Sequence, residues 1–335
     1  MMKMSEYFKP KSLVYTGSVI KKKTTIHRFV YDIDHLDEFS NLKKEPKQYI
    51  QVVGLSEIEK INEIKTVFSI DEFIMEDVLN VDQRNKIEKV GDYVFACFSF
   101  LSKEQDDIKK EYMSLVFNQD VLISFHEKEP IFLAPILQLL TDYKDLKQGP
   151  IDFLFYHILD LITDDHLMIY DQFEQQLNAF EEEILETRQI EQEEFYKLRK
   201  HILQLKNISS PLFDQLESIL KLDIAFIGNK TEKYYNDLID HMKRLDDRLN
   251  QLKDSMRNLL DLDMNNQSTR MNRIMSTLTL FSAIFIPLSF LTGFFGMNFI
   301  HFNILNYEHA VVIFTSICLL IAVVMMMIFK KHKWF

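Results

Sequence analysis

The chain has 335 residues, 47% of them hydrophobic and 27% charged, with only 7 Gly and 7 Pro, which excludes a disordered, collagenous or low-complexity protein. Its two cysteines, Cys97 and Cys318, belong to no CxxC or Cys/His spacing, so neither a disulfide scaffold nor a zinc module is expected. The net charge of −11 is uneven: residues 1–273 hold 36 basic and 49 acidic side chains, and a body of charge −13 attracts cations and lacks the basic face that a nucleic-acid binder needs. Residues 1–150 read as a mixed α/β domain. Segments 24–31, 92–100 and 112–125 are rich in Val, Ile, Phe and Tyr, with turn signals at Gly91-Asp92 and Asn118-Gln119-Asp120. Helical stretches at 56–65 and 71–80 fall between them, predicting a small sheet flanked by helices.

Residues 151–273 are predicted to be a region of long helices. Between residues 151 and 210 no Gly or Pro occurs, and Leu, Glu, Gln, Lys and Phe dominate, which predicts one or two helices with acid runs such as Glu181-Glu182-Glu183 on a solvated face. Residues 229–286 are again free of Gly and Pro. As one helix that stretch spans about 85 Å, joining the soluble part to a membrane segment in a single rod. Within it Leu238, Met242, Leu245, Leu249, Leu252, Met256 and Leu259 keep an alternating spacing of four and three, a heptad seam that packs against helices of the same chain or of sister subunits.

Two uncharged stretches follow, 274–293 and 310–329, each about 30 Å long as helix and so long enough to cross a bilayer core. The link at 294–309 has no Lys or Arg, whereas Arg270 and Arg273 precede the first span and a basic tail, 330–335, follows the second. The positive-inside rule then places both termini in the cytoplasm and the link outside. The N-terminal MMKMSEYFKPKS lacks the apolar run of a signal peptide, so membrane insertion is expected from the C-terminal hairpin.

Continued at its own spacing, the seam enters the first span as Asn272, Met275, Thr279, Ser282, Ile286, Ser289, Gly293 and Gly296, changing from large apolar to small or polar residues. Such a stripe serves close helix packing, or it lines a water path shared by several subunits. Two spans cannot enclose a path alone, so a pore requires a cyclic oligomer. At the outer end stands Gly296-Met297-Asn298, inside Ile286-Pro287-Leu288-Ser289-Phe290-Leu291-Thr292-Gly293-Phe294-Phe295-Gly296-Met297-Asn298-Phe299, and the chain closes with Lys330-Lys331-His332-Lys333-Trp334-Phe335. Here the chain resembles the CorA family of divalent-cation channels. Glu76-Asp77-Val78-Leu79-Asn80 with Asp82-Gln83-Arg84, and Asn236-Asp237-Leu238-Ile239-Asp240-His241, are similar to the family's soluble and stalk segments.

The resemblance implies a fold and an activity together. The fold is a funnel-shaped homopentamer in the cell membrane: an α/β cytosolic domain, stalk helices continuing into the pore, and a two-span membrane domain. The activity is influx of divalent cations, mainly Mg2+ and also Co2+ or Ni2+, driven by the membrane potential. Gly296, Met297 and Asn298 map to the selectivity filter, with Asn298 as its outer ring. The pore lining maps to Asn272, Met275, Leu278, Ile286, Ser289 and Gly293, with Leu278 replacing the Thr279 of the spacing argument and Ser282 retained from it. A regulatory Mg2+ between subunits maps to Asp77 and Asp237, so Mg2+ is both cargo and regulator: filled sites close the pore and empty ones open it.

The residues suit the task. Mg2+ sheds water reluctantly, so five Asn298 amides are expected to hydrogen-bond the water shell of a hydrated ion. No Asp or Glu occurs from residue 274 to 298, which avoids holding the ion too tightly, and Met275, Leu278 and Ile286 can gate by dewetting. The loop's only acid is Glu308, since Asn298 is followed by Phe299, Ile300 and His301. No GxxxxGK[ST], HExxH or GxSxG motif occurs, so no enzyme is expected. The rival readings are a Zn2+ transporter of the same superfamily and a membrane-anchored coiled-coil sensor or scaffold that conducts nothing.

Overall fold

The computed structural model describes residues 13–19, 22–104, 107–186, 191–221, 230–297 and 308–332. They divide into two compact units, Met1–Arg257 and Asn258–Phe335.

In the first unit the strands are β1 (Thr25–Tyr31), β2 (Leu36–Phe39) and β3 (Gln48–Val53), followed by helices α1 (Ile58–Phe68) and α2 (Glu72–Leu79). Then come β4 (Lys86–Val90), β5 (Tyr93–Glu104), β6 (Asp107–Phe117) and β7 (Val121–His126). The helices α3 (Ala134–Asp142), α4 (Lys144–Gln148), α5 (Ile151–Leu185) and α6 (Gln192–Ile219) complete the run before α7 (Glu232–Phe295) and, in the second unit, α8 (Ala310–Lys331). The single expected sheet therefore has seven strands, ordered β2-β1-β3-β7-β6-β5-β4, antiparallel except for the β3–β7 pair. Turns form where the sequence signals them: Asn118 Oδ1 accepts from the N–H groups of Asp120 and Val121, closing the β6–β7 hairpin.

Both faces of the sheet are covered, which is why every residue of β3 and β7 is buried. On one face Ile50, Val52, Phe95, Val116, Ile123 and Phe125 form a core with Ile61, Ile64 and Phe68 of α1 and Ile74, Met75 and Val78 of α2. On the other, Phe155 of α5 stacks on Phe117 at 4.5 Å and on Phe98 at 6.5 Å between ring centroids. The β4–β5 ladder begins at the Lys86–Cys97 pair, so β5 continues past β4, and two of its N–H groups find side chains instead. Ser99 donates to Asn85 Oδ1 at 2.8 Å and Leu101 to His166 Nε2 at 3.1 Å, so α5 is fastened to the open edge of the sheet.

The predicted long helical region resolves into α5, α6 and α7. Leu238, Met242, Leu245, Leu249, Leu252 and Met256 are each no more than 5% exposed, so the heptad seam is buried by the chain's own helices. Ser210 of α6 donates to Asp246 of α7, and Lys206 lies 3.6 Å from the same carboxylate. Pro211 and Pro287 lie inside α6 and α7 rather than ending them, so both helices run past the prolines that bounded the Gly- and Pro-free stretches.

Candidate functional site

The most apolar 18-residue stretches of α7 and α8 have mean hydropathies of 2.0 and 3.0, and both helices are long and apolar enough to cross a bilayer. At about 100° per residue, Ser276, Leu280, Ala283, Ile284, Pro287, Leu291 and Phe295 share one face of α7. All are buried or half-buried, Leu280 being 5% exposed, and Phe295 meets Phe314 of α8 at 5.2 Å between centroids. Met275 stands about 140° from Leu280 around the helix. There the stripe of Asn272, Met275, Leu278, Ile286, Ser289, Gly293 and Gly296 is exposed, with Met275, Leu278 and Ile286 at 60%, 66% and 67%. Ser282, about 160° from Leu280 and so within the same stripe, is half-buried. The packing of one chain thus leaves the expected pore-lining face uncovered.

Local geometry within the stripe is specific. Thr279 Oγ1 donates to the Met275 carbonyl at 2.8 Å, so this hydroxyl spends its proton on its own helix. A Cβ added at Gly293 meets nothing within 4 Å, so nothing in the single chain demands glycine there. At Gly296 an added Cβ lies 3.0 Å from the Thr292 carbonyl, the group that accepts the Gly296 N–H at 2.9 Å, and glycine lets this last turn close. Met297 is 54% exposed; Asn298 lies outside the described residues.

The two expected regulatory carboxylates are each in a defined setting, and no contact brings them together in one chain. Asp77 sits in the last turn of α2, a helix started by Asp71, whose side chain accepts the Phe73 N–H at 2.8 Å. Lys86 Nζ lies 2.5 Å from Asp77 Oδ2 and 3.0 Å from Glu88 Oε1, while Gln83 Nε2 donates to Asp77 Oδ1 at 2.8 Å. Burial opposes the charge on Lys86, but its hydrogen bonds to Asp77 and Glu88 outweigh burial and hold its pKa above the usual lysine value. Asp237, on α7, is 65% exposed, with His241 Nε2 at 3.7 Å one turn on. It adds its charge to a patch on α5: burial first, then Asp164, raises the carboxyl pKa of Asp160, and Asp237 pushes it further in that direction. Among the described residues no group of three or more His, Cys, Asp or Glu is arranged to hold a metal ion. Lys86 and the Asp160/Asp164 pair are features that the sequence reading did not single out; the i, i+4 spacing of the two aspartates was their only visible signal.

Comparison with known proteins agrees with this architecture. Residues 50–331 match the family described as CorA-like Mg2+ transporter protein. The cobalt/magnesium transport protein CorA of Thermotoga maritima is 26% identical over 338 residues, covering 97% of this chain and 96% of that protein. The zinc transport protein ZntB of Pectobacterium atrosepticum is 26% identical over 192 residues, covering 55% and 56% of the two chains. The complete structure of the CorA magnesium transporter from Methanocaldococcus jannaschii superposes with a TM-score of 0.80 at 18% identity, covering 93% of this chain and 99% of that one, which shows the shared fold. With an α/β domain, a helix running on into an apolar span, a second span behind it and a family match across most of its length, this chain belongs to the CorA family of membrane-embedded divalent-cation transporters.

Proposed function

We propose that the chain is one subunit of a homopentameric Mg2+ influx channel, accepting Co2+ or Ni2+ as well, with both termini in the cytoplasm. The exposed stripe on α7 is the observation that carries this reading. It is small or polar at Asn272, Ser282, Ser289, Gly293 and Gly296 and apolar at Met275, Leu278 and Ile286, the mixture expected of a wet path with dewetting constrictions. Five copies brought together on this face enclose a path that one chain cannot. At its outer end Gly296, Met297 and Asn298 form the filter, and the Asn298 amides hold the hydrated ion by its water. A dication entering across about 100 mV gains roughly 4.6 kcal/mol, twice the value for one charge, so inward flow needs no ATP.

Regulation is assigned to Mg2+ held between Asp77 of one subunit and Asp237 of the next. The ion supplies positive charge between two carboxylates that repel each other, and it ties neighbouring subunits in a closed state. As cytosolic Mg2+ falls, the ion leaves and the pore opens.

Zn2+ is the alternative cargo, favoured by the zinc-transport relative. The α7 stripe offers Zn2+ no Cys or His, its preferred ligands, and retains Gly296-Met297-Asn298. The test is growth of cells stripped of their own Mg2+ uptake systems. The wild-type chain should restore growth at low Mg2+, and Asn298→Ala should not, although it reaches the membrane in equal amount. Equal rescue by the two would remove Asn298 from the filter.

A further inference from the structure

The carbonyl groups at the C-terminal end of a helix concentrate partial negative charge, and Asp77 adds a carboxylate to the last turn of α2. The position therefore calls for a cation. Within the chain that cation is Lys86, with Nζ 2.5 Å from Asp77 Oδ2. Gln83 Nε2 takes the other oxygen at 2.8 Å and reaches the Asp77 backbone carbonyl at 3.0 Å, so both carboxylate oxygens are engaged from within the subunit. The sheet delivers the ammonium: Lys86 opens β4 opposite Cys97, and its Nζ lies 5.1 Å from the centre of the Phe95 ring, in the neighbouring strand.

We infer that Lys86 is a built-in competitor of the regulatory divalent cation, its ammonium occupying the Asp77 carboxylate in the ion-free state and having to withdraw before the ion binds. The inference rests on the assignment of Asp77 to the regulatory site. Asp77 and Glu88 with Lys86 between them present a single net negative charge; without the lysine they present two. Competition therefore weakens the site and raises the Mg2+ concentration at which the pore closes. A site without it fills at lower Mg2+ and keeps the pore shut when the cell still needs the ion.

The test is protease protection of the full-length protein in detergent, titrated with Mg2+. Lys86→Met removes the charge while keeping an apolar stem near Phe95, and its half-protection point should fall about fivefold, the upper range for a partly exposed ion pair whose partners are 29% and 28% exposed. Lys86→Arg should restore the wild-type midpoint. Lys86→Gln should match Lys86→Met, and agreement between the two separates a charge effect from a packing defect. Asp77→Asn tests the parent assignment and should lose Mg2+-dependent protection. If Asp77→Asn loses protection but the Lys86→Met and Lys86→Gln midpoints stay in place or rise, the competitor role is overturned and Asp77 remains in the site. If Asp77→Asn is protected as well as the wild type, Asp77 leaves the regulatory site and the competitor role falls with it.

Discussion

In the proposed filter, an amide at position 298 suits a hydrated dication better than a carboxylate would. Its oxygen accepts from the ion's water without adding charge, so attraction and release stay balanced. Asn298→Asp should therefore lower the Mg2+ concentration for half-maximal uptake and also lower maximal flux; a higher maximal flux would contradict the balance. Away from the membrane, His166 is fully buried, with Nε2 accepting the Leu101 N–H and Nδ1 at 3.2 Å from Ser209 Oγ, a pairing that puts the ring proton on Nδ1. Burial lowers its pKa to about 4. Between pH 6.5 and that value the unfolded chain binds a proton that the folded chain refuses, so stability is full above pH 6.5 and falls by about 3 kcal/mol on acidification. Asp165 opposes this: burial first, then Asp164 and Glu111, raises its pKa to about 6, so its contribution improves as pH falls through that value. Melting of the full-length protein at pH 7 and pH 4.5 should show a smaller acid-induced loss in His166→Gln than in the wild type. An equal loss would mean that other groups govern acid unfolding.

Elements divide into those that hold the α/β domain together and those that the proposed function assigns to contacts with other subunits. Phe155 is wholly buried and stacks on Phe117 at 4.5 Å, so Phe155→Ala should cost about 3–5 kcal/mol of domain stability, visible as a lower melting temperature. Gly293 behaves oppositely, since an added side chain meets nothing within its own chain. Gly293→Leu should leave the melting temperature unchanged and abolish uptake, and unchanged uptake would take the stripe out of the subunit contact and the path. The strand segments near 24–31, 92–100 and 112–125 were legible because their β-branched and aromatic runs stop at turn residues. β3 was not singled out, because a strand buried on both faces shows no alternation, and β4 carries Lys86, Glu88 and Lys89 in five residues. The heptad seam was legible as spacing, but its partner was not: only its burial shows that the chain's own helices take it. The α7 stripe was legible as a spacing, and the structure leaves most of it exposed, but Leu278 came from the family resemblance and Ser282 is half-buried. The setting of Asp77 was not, because Lys86 reaches it from across a loop and at the start of a strand, where no helical or strand period links the two.

At the scale of the whole molecule, the acidic body, the exposed stripe and the uncharged spans act together. The body of charge −13 disfavours anions and draws cations, the spans hold the chain in a bilayer, and in the proposed channel the stripe becomes a closed path only when copies assemble around it. Native mass measurement of the purified protein should therefore give five subunits; a stable monomer would leave the stripe facing lipid. The most direct test of the conduction path is ion entry into liposomes containing the purified protein, at low internal Mg2+ and under an inside-negative potential, with Mg2+, Co2+, Ni2+ and Zn2+ supplied separately. Mg2+ entry should rise with the potential and vanish in Asn298→Ala. Entry of Zn2+ alone, dependent on a proton gradient, or no flux of any ion, would contradict a potential-driven Mg2+ channel.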